Sequence, residues 1–219
     1  SQFTTLEPGT SVAGIINADV SFKGNKSSID KSQYEKINTT GTLNVSDLVY
    51  KSKDYPDGVK GDEAAFTFNP KNVTLNNLKA AYLKSNITAN GSVDNAIGYA
   101  LKDEPIAGIL NVKADKLNLN DLMGIESASP ADSVTASSSE PFVVPKNIAF
   151  TLNAAVDKLT YDKVDYNNLK GTVAIKDQTV TLKDVQMNAL DGKIAVGGSY
   201  STKANTKNPA ISLTYDVSN

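Results

Sequence analysis

The sequence predicts an all-β chain: an antiparallel sheet of ten or so strands with one or two very short helices. Three observations lead there. Apolar residues recur at every second position in run after run, the signature of a half-buried strand. Breaks rich in Gly, Asn, Asp and Pro, such as "PDGVKG" (56–61), "NP" (69–70) and "LDGK" (190–193), separate the runs. Helical periodicity is confined to two short stretches.

In chain order, the first run carries Ile16, Ala18, Val20 and Phe22. "SSIDKSQYEKI" (27–37) then fits a short helix capped by Ser28 or Asp30. Alternation resumes with Leu43 and Val45, Phe66 and Phe68, Val73 and Leu75, Ile87 and Ala89, and Leu110, Val112 and Ala114. "LNLNDLMG" (117–124) allows one helical turn ending at Gly124. "ESASPADSVTASSSEP" (126–141) is rich in Ser, Ala and Pro and reads as a linker or long surface loop. Beyond it come Ile148 to Val156, the run 180–200 and Ile211, Leu213, Tyr215 and Val217. The expected organisation is a first β-unit at 1–125, a linker at 126–142 and a second β-unit at 143–219, continuous with the first sheet and truncated at its C-terminus.

Composition removes most chemistry. The 219 residues include no His and no Cys, so the usual general base, the commonest transition-metal ligand, thiol nucleophiles and disulfides are all missing. No catalytic residue, metal site or cofactor is assigned, and the chain is read as non-enzymatic. Twenty-two Lys and Arg against 24 Asp and Glu, scattered along the chain, give no basic patch for nucleic acid. Carboxylates gather in "GDE" (61–63), "KDEP" (102–105) and "DKVDY" (162–166), without the dense ligand spacing of a calcium loop. They read as solvated turns and as charges that discourage edge pairing.

An internal repeat is the most informative feature. "LVYKSKDY" (48–55) aligns with "LTYDKVDY" (159–166), "VKG" (59–61) with "LKG" (169–171), and "VTLNNLKAAYLKSNITANGSV" (73–93) without gaps over "VTLKDVQMNALDGKIAVGGSY" (180–200). Stacked β-units bury faces that a single unit leaves wet. The recurring Tyr50/Tyr55 and Tyr161/Tyr166 fit cross-strand packing better than sugar stacking.

The stretches 73–124 and 172–200 resemble the AsmA-like family of envelope proteins, in the versions found in Bacteroidetes-type bacteria. Its pattern is a "v-t-L-k-d-v" strand, a small turn, then "G-k-I-a-v-x-G-s-Y". The resemblance covers roughly 40–219 and implies a long curved sheet of the repeating β-groove or open-barrel kind. It further implies a periplasmic location as the soluble part of a membrane-anchored protein, and a part in phospholipid transport or outer-membrane assembly. Partners would be acyl chains and the remaining parts of the same longer envelope protein. The candidate lining is Phe66, Phe68, Ile87, Ala89, Ile194, Val196, Ile211 and Leu213, with the inward parity left open because a one-residue register change exchanges the faces. Asp132-Ser133-Val134 resembles the Asp-Ser/Thr-apolar pattern of O-glycosylation in such bacteria, which makes Ser133 a candidate acceptor. The alternative reading is a surface adhesion or glycan-binding β-module.

Overall fold

The computed structural model describes residues 9–30, 38–52, 58–122 and 141–218. The fold is all-β and antiparallel, with strand order following the chain from β1 to β11. The strands are β1 (Ser11–Lys23), β2 (Asn38–Lys51), β3 (Val59–Phe68), β4 (Asn72–Tyr82), β5 (Ser85–Asp94), β6 (Ile106–Asn118), β7 (Ile148–Tyr161), β8 (Val164–Lys176), β9 (Thr179–Ala189), β10 (Gly192–Ser201) and β11 (Ala210–Ser218). Among the described residues three short helices accompany them: α1 (Lys26–Asp30), α2 (Ala96–Lys102) and α3 (Leu119–Leu122). The expected helices at 27–37 and 117–124 fall at α1 and α3, with 31–37 and 123–124 outside the described residues. The second, α2, carries no sequence signal beyond a brief apolar run; Asn95 Nδ2 steadies its start by donating to Pro105 O at 2.9 Å and Glu104 Oε2 at 3.1 Å. The chain divides into two compact units, Ser1–Lys113 and Ala114–Asn219, with the division inside β6. The Ser/Ala/Pro-rich stretch up to residue 140, Ser133 included, lies outside the described residues.

In unit 1, Asn69 organises the β3–β4 connection. Its side-chain Oδ1 accepts from Lys71 N at 2.9 Å and Asn72 N at 3.0 Å, an Asx turn that spends no other residue on the corner. The β4–β5 hairpin closes on Tyr82↔Ser85, leaving Leu83 and Lys84 as the loop. In unit 2 the two-residue loops are Asp162-Lys163, Asp177-Gln178 and Leu190-Asp191, each with both residues at positive φ. Paired positive φ values match the twist of the flanking strands. The turn expected to include Gly192 is therefore two residues long. Gly192 is instead the first residue of β10, buried and paired with Ala189.

The gapless repeat is exact in register. Leu78↔Ala89 in β4–β5 corresponds to Val185↔Val196 in β9–β10, and Ala80↔Ile87 to Met187↔Ile194. Both hairpins bulge at the same place, between Leu75 and Leu78 in one and Leu182 and Val185 in the other. The short block behaves differently. Val59 pairs with Tyr50 just past the connection, whereas Tyr161 pairs with Val164, so the partner of 59–61 in the second copy is 164–166 and not 169–171. The chemical likeness of "VKG" and "LKG" is one of composition, because the hairpin register outranks it.

Candidate functional site

Residues directly opposite in an antiparallel ladder share a face of the sheet. That rule sorts β1 to β5 of unit 1. Opposite one another run Val20, Gly41, Phe68, Val73 and Val93; then Ala18, Leu43, Phe66, Leu75 and Gly91; then Ile16, Val45, Ala64, Leu78 and Ala89. All are apolar. The other face carries Asp19, Thr42, Thr67 and Thr74 on one row and, beyond an exposed Ile15, Ser46, Glu63, Lys79 and Thr88 on another.

Unit 2 repeats the division. Rows of Ile175, Val180, Tyr200 and Ile211, of Val173, Leu182, Gly198 and Leu213, and of Val185, Val196 and Tyr215 form the apolar face, while Thr172, Lys183, Gln186, Ala195 and Asp216 look the other way. Tyr161 and Tyr166 sit on the apolar side, opposite Val164 and Leu159. Tyr50 does likewise opposite Val59, and Tyr55 lies outside the described residues.

Strict alternation would not produce these faces, because the apolar spacing slips by one residue inside several strands. In β9 it runs Val180, Leu182, Val185, Met187; in β2, Leu43, Val45, Leu48, Tyr50; in β8, Val164, Tyr166, Leu169, Gly171. At each slip one residue adopts the left-handed conformation: Asp184 at φ 51°, Asp47 at φ 53° and Asn168 at φ 54°. Asp and Asn tolerate that region better than other side-chain-bearing residues. The extra residue is absorbed as a bulge and the next apolar side chain returns to the same face.

Glycines on the apolar face let neighbouring strands rise toward it. A Cβ on Gly198 would lie 2.5 Å from Ser212 O and 3.3 Å from Leu213 Cα; one on Gly171 would lie 2.8 Å from Val185 Cα. At Gly41 and Gly91 it would run into Asp19 O and Ile109 O, with Val20 Cα and Leu110 Cα each at 3.0 Å. In a flat ladder the directly opposed Cα atoms stand about 4.5–5.5 Å apart, and a Cβ points away from the neighbouring backbone. Locally, then, the sheet folds toward its apolar side at these positions. The physical reason is the missing methyl, since any larger residue would hold the strands apart.

This face is half-buried over the central strands and opens at β1 and β11. Among the described residues only Ala64, Ala89, Ala114, Val144, Val156 and Ala189 are buried hydrophobics. On β11, Ile211, Leu213, Tyr215 and Val217 are 63–75 % exposed. All eight candidate lining residues lie on the apolar faces of their units: Phe66, Phe68, Ile87 and Ala89 in unit 1, and Ile194, Val196, Ile211 and Leu213 in unit 2. Only Ala89 is fully buried, and Ile211 and Leu213 are open to solvent. The candidate set missed Val73, Leu75, Val180 and Leu182, which share the faces and whose pairing, not their own pattern, places them. Val144 is held apart from the strands' alternation: its N donates to Thr202 Oγ1 at 3.1 Å, and Tyr200 Oη donates to Phe142 O at 2.6 Å, which ties the segment before β7 to the end of β10.

The carboxylates serve as surface partners. Glu63 Oε2 accepts from Lys79 Nζ and Asn77 Nδ2, both at 3.0 Å. Asp165 accepts from Lys158 Nζ at 2.8 Å and Thr160 Oγ1 at 2.7 Å, and the lysine contact, followed by the threonine hydrogen bond, holds its carboxyl below the usual aspartate range. No group of three or more acidic residues converges on a metal-sized site among the described residues. No described helix is long and apolar enough to cross a membrane. Comparison with protein-family models, with curated proteins and with solved structures finds no match.

Proposed function

We propose that the chain is a non-catalytic, lipid-contacting β-segment of an AsmA-like envelope protein, located in the periplasm and contributing an apolar trough for phospholipid transport or outer-membrane assembly. The observation that carries the reading is the one-sidedness of both units: apolar spacing is corrected by left-handed Asp and Asn residues so that it stays on one face, and that face is half-buried over the central strands and open on β1 and β11. Ordinary antiparallel domains bury such a face against a second layer.

An acyl tail laid on this surface leaves water without any group needing to react. Each methylene removed from water is worth about 0.8 kcal/mol, so a chain of about sixteen carbons gains on the order of 10 kcal/mol gross. Loss of motional freedom reduces that figure. Bonding between neighbouring strands satisfies the backbone of the inner strands, and the Thr, Asn and Lys of the opposite face keep the segment hydrated. The mechanism is passive shielding.

Photo-crosslinking tests it at adjacent residues of one strand. A benzophenone side chain at Ile194, on the apolar face, is expected to capture phospholipid from added vesicles, while one at Lys193, on the polar face, is not. Equal capture at both positions, or none at either, would dispose of the proposal.

A further inference from the structure

The polar face of unit 2 carries an open depression of about 380 Å³. Ala195 is its shortest polar-face position, Lys170, Gln186, Asn188, Lys193 and Asp216 stand around it, and Met187 and Ile194, whose rows belong to the other face, also border it. Two cross-strand rows build it: Lys170–Gln186–Ala195–Asp216 and Asn188–Lys193–Ser218. A short residue between long ones leaves the hole.

The repeat supplies an internal control. In unit 1 the corresponding row is Glu63–Lys79–Thr88. There the two charges neutralise each other at 3.0 Å, and Thr88 stands where unit 2 has Ala195. In unit 2 the acid has become Lys170 and the lysine Gln186, so no such pair forms, and Lys193 replaces Asn86. Lys170, Gln186, Lys193 and Asp216 bond to no other side chain among the described residues. A second depression, in unit 1, differs in the same sense: its Asn72 and Asn90 are spent on Asp94 and Asn111 at 2.7 and 2.8 Å. One copy is closed by its own bonds and the other is left with its donors and acceptors free.

We infer that this depression is a binding site for an acidic sugar, a pyranose bearing a carboxylate or phosphate. Two ammonium groups against one carboxylate leave a net positive charge for the acid. Amides and Asp216 offer donors and acceptors matched to ring hydroxyls. No aromatic side chain lines the site, so recognition rests on charge and hydrogen bonds and not on stacking. The volume is within the range of small-ligand sites. This inference concerns the face opposite the proposed lipid surface and stands whether or not lipid binds.

Amide chemical-shift mapping of the whole chain tests it with four probes: a glucuronate-containing disaccharide, a sugar phosphate, a neutral disaccharide and inorganic phosphate. An acidic sugar from either source is expected to shift amides of β8–β11 alone, more weakly as salt rises. The double variant K170E/Q186K, which installs the pair found in unit 1, should weaken binding at least about tenfold. Ala195→Thr, which fills that short position, should do the same, and its unit 1 counterpart shows that threonine fits such a position. Three results would overturn the inference: no shifts with either acidic sugar, equal binding of the neutral disaccharide, or inorganic phosphate binding as tightly as the sugars. Binding unchanged in both variants would do so as well, and the wild-type map decides the matter even if a variant fails to fold.

Discussion

Two consecutive glycines in β10 should respond in opposite ways to the same substitution. Gly198 is on the apolar face, and a methyl there meets Ser212 O at 2.5 Å, where ordinary contact begins at 3.4 Å, so β11 must retreat by about 0.9 Å. A retreat of that size takes backbone hydrogen bonds beyond their working range of about 3.2 Å. One or two such bonds, at about 1 kcal/mol each, set the gross loss for Gly198→Ala, and the reduced entropy of the unfolded chain returns about 0.4–1 kcal/mol. The net cost is roughly 0–1.6 kcal/mol, centred on about 0.8 kcal/mol. It should appear in β11 first, because that strand pairs only with β10 in the sheet order. Gly197 faces the other way, and its methyl would meet Thr214 Oγ1 at 3.1 Å, a side-chain atom with room to turn, even though it now donates to Gly197 O. Gly197→Ala should stay within about 0.5 kcal/mol of the parent. Hydrogen exchange read by mass spectrometry resolves both: faster exchange across 210–218 in Gly198→Ala and little change in Gly197→Ala. Matching exchange in the two variants would refute the claim that the sheet bends toward its apolar side at Gly198.

The parity correction in β9 is tested by urea unfolding. Deleting Asp184 removes the extra residue and should leave Val180, Leu182, Val185, Met187 and Ala189 in unbroken alternation on the apolar face with unit 2 still folded, Asp184→Val should cost roughly 1–2 kcal/mol for a branched residue at φ 51°, and Asp184→Gly should be neutral or stabilising; a deletion that abolishes the unfolding transition sinks the argument. The carboxyl of Asp165, followed by NMR, should titrate below the ordinary value of 3.8 and return toward it in Lys158→Ala. Because the folded-state value is depressed, the stabilising contribution is present above the unfolded value and is lost as pH falls through the folded one, so the difference between Lys158→Ala and the parent should shrink at pH values below about 4.

Much of the architecture was legible from local chemistry. Val180 and Leu182, Ile194 and Val196, or Ile211 and Leu213 each name a strand by alternation alone, since a strand's side chains point to opposite faces whatever lies next to it. Harder to see was the slip within a strand. "LKDVQM" reads as a broken alternation until Asp184 is known to sit at positive φ, and the spacing Tyr166 to Leu169 is equally ambiguous without Asn168. The helix α2 escaped notice because seven residues of "AIGYALK" hold too few turns to show a period. The polar depression of unit 2 has no linear signature at all. Lys170, Gln186, Lys193 and Asp216 come from four strands, and only the ladder register puts them around Ala195.

What the amino-acid order determined by itself was the class of structure, the antiparallel meander and the duplicated hairpin, because side-chain alternation and turn chemistry act over a handful of neighbouring residues. Which residues share a face, where strands crowd together at Gly198 or Gly171, and which polar groups remain without a partner were decided by pairing between strands. Those outcomes depend on register and on bulges whose energies are settled only when the facing strand is in place.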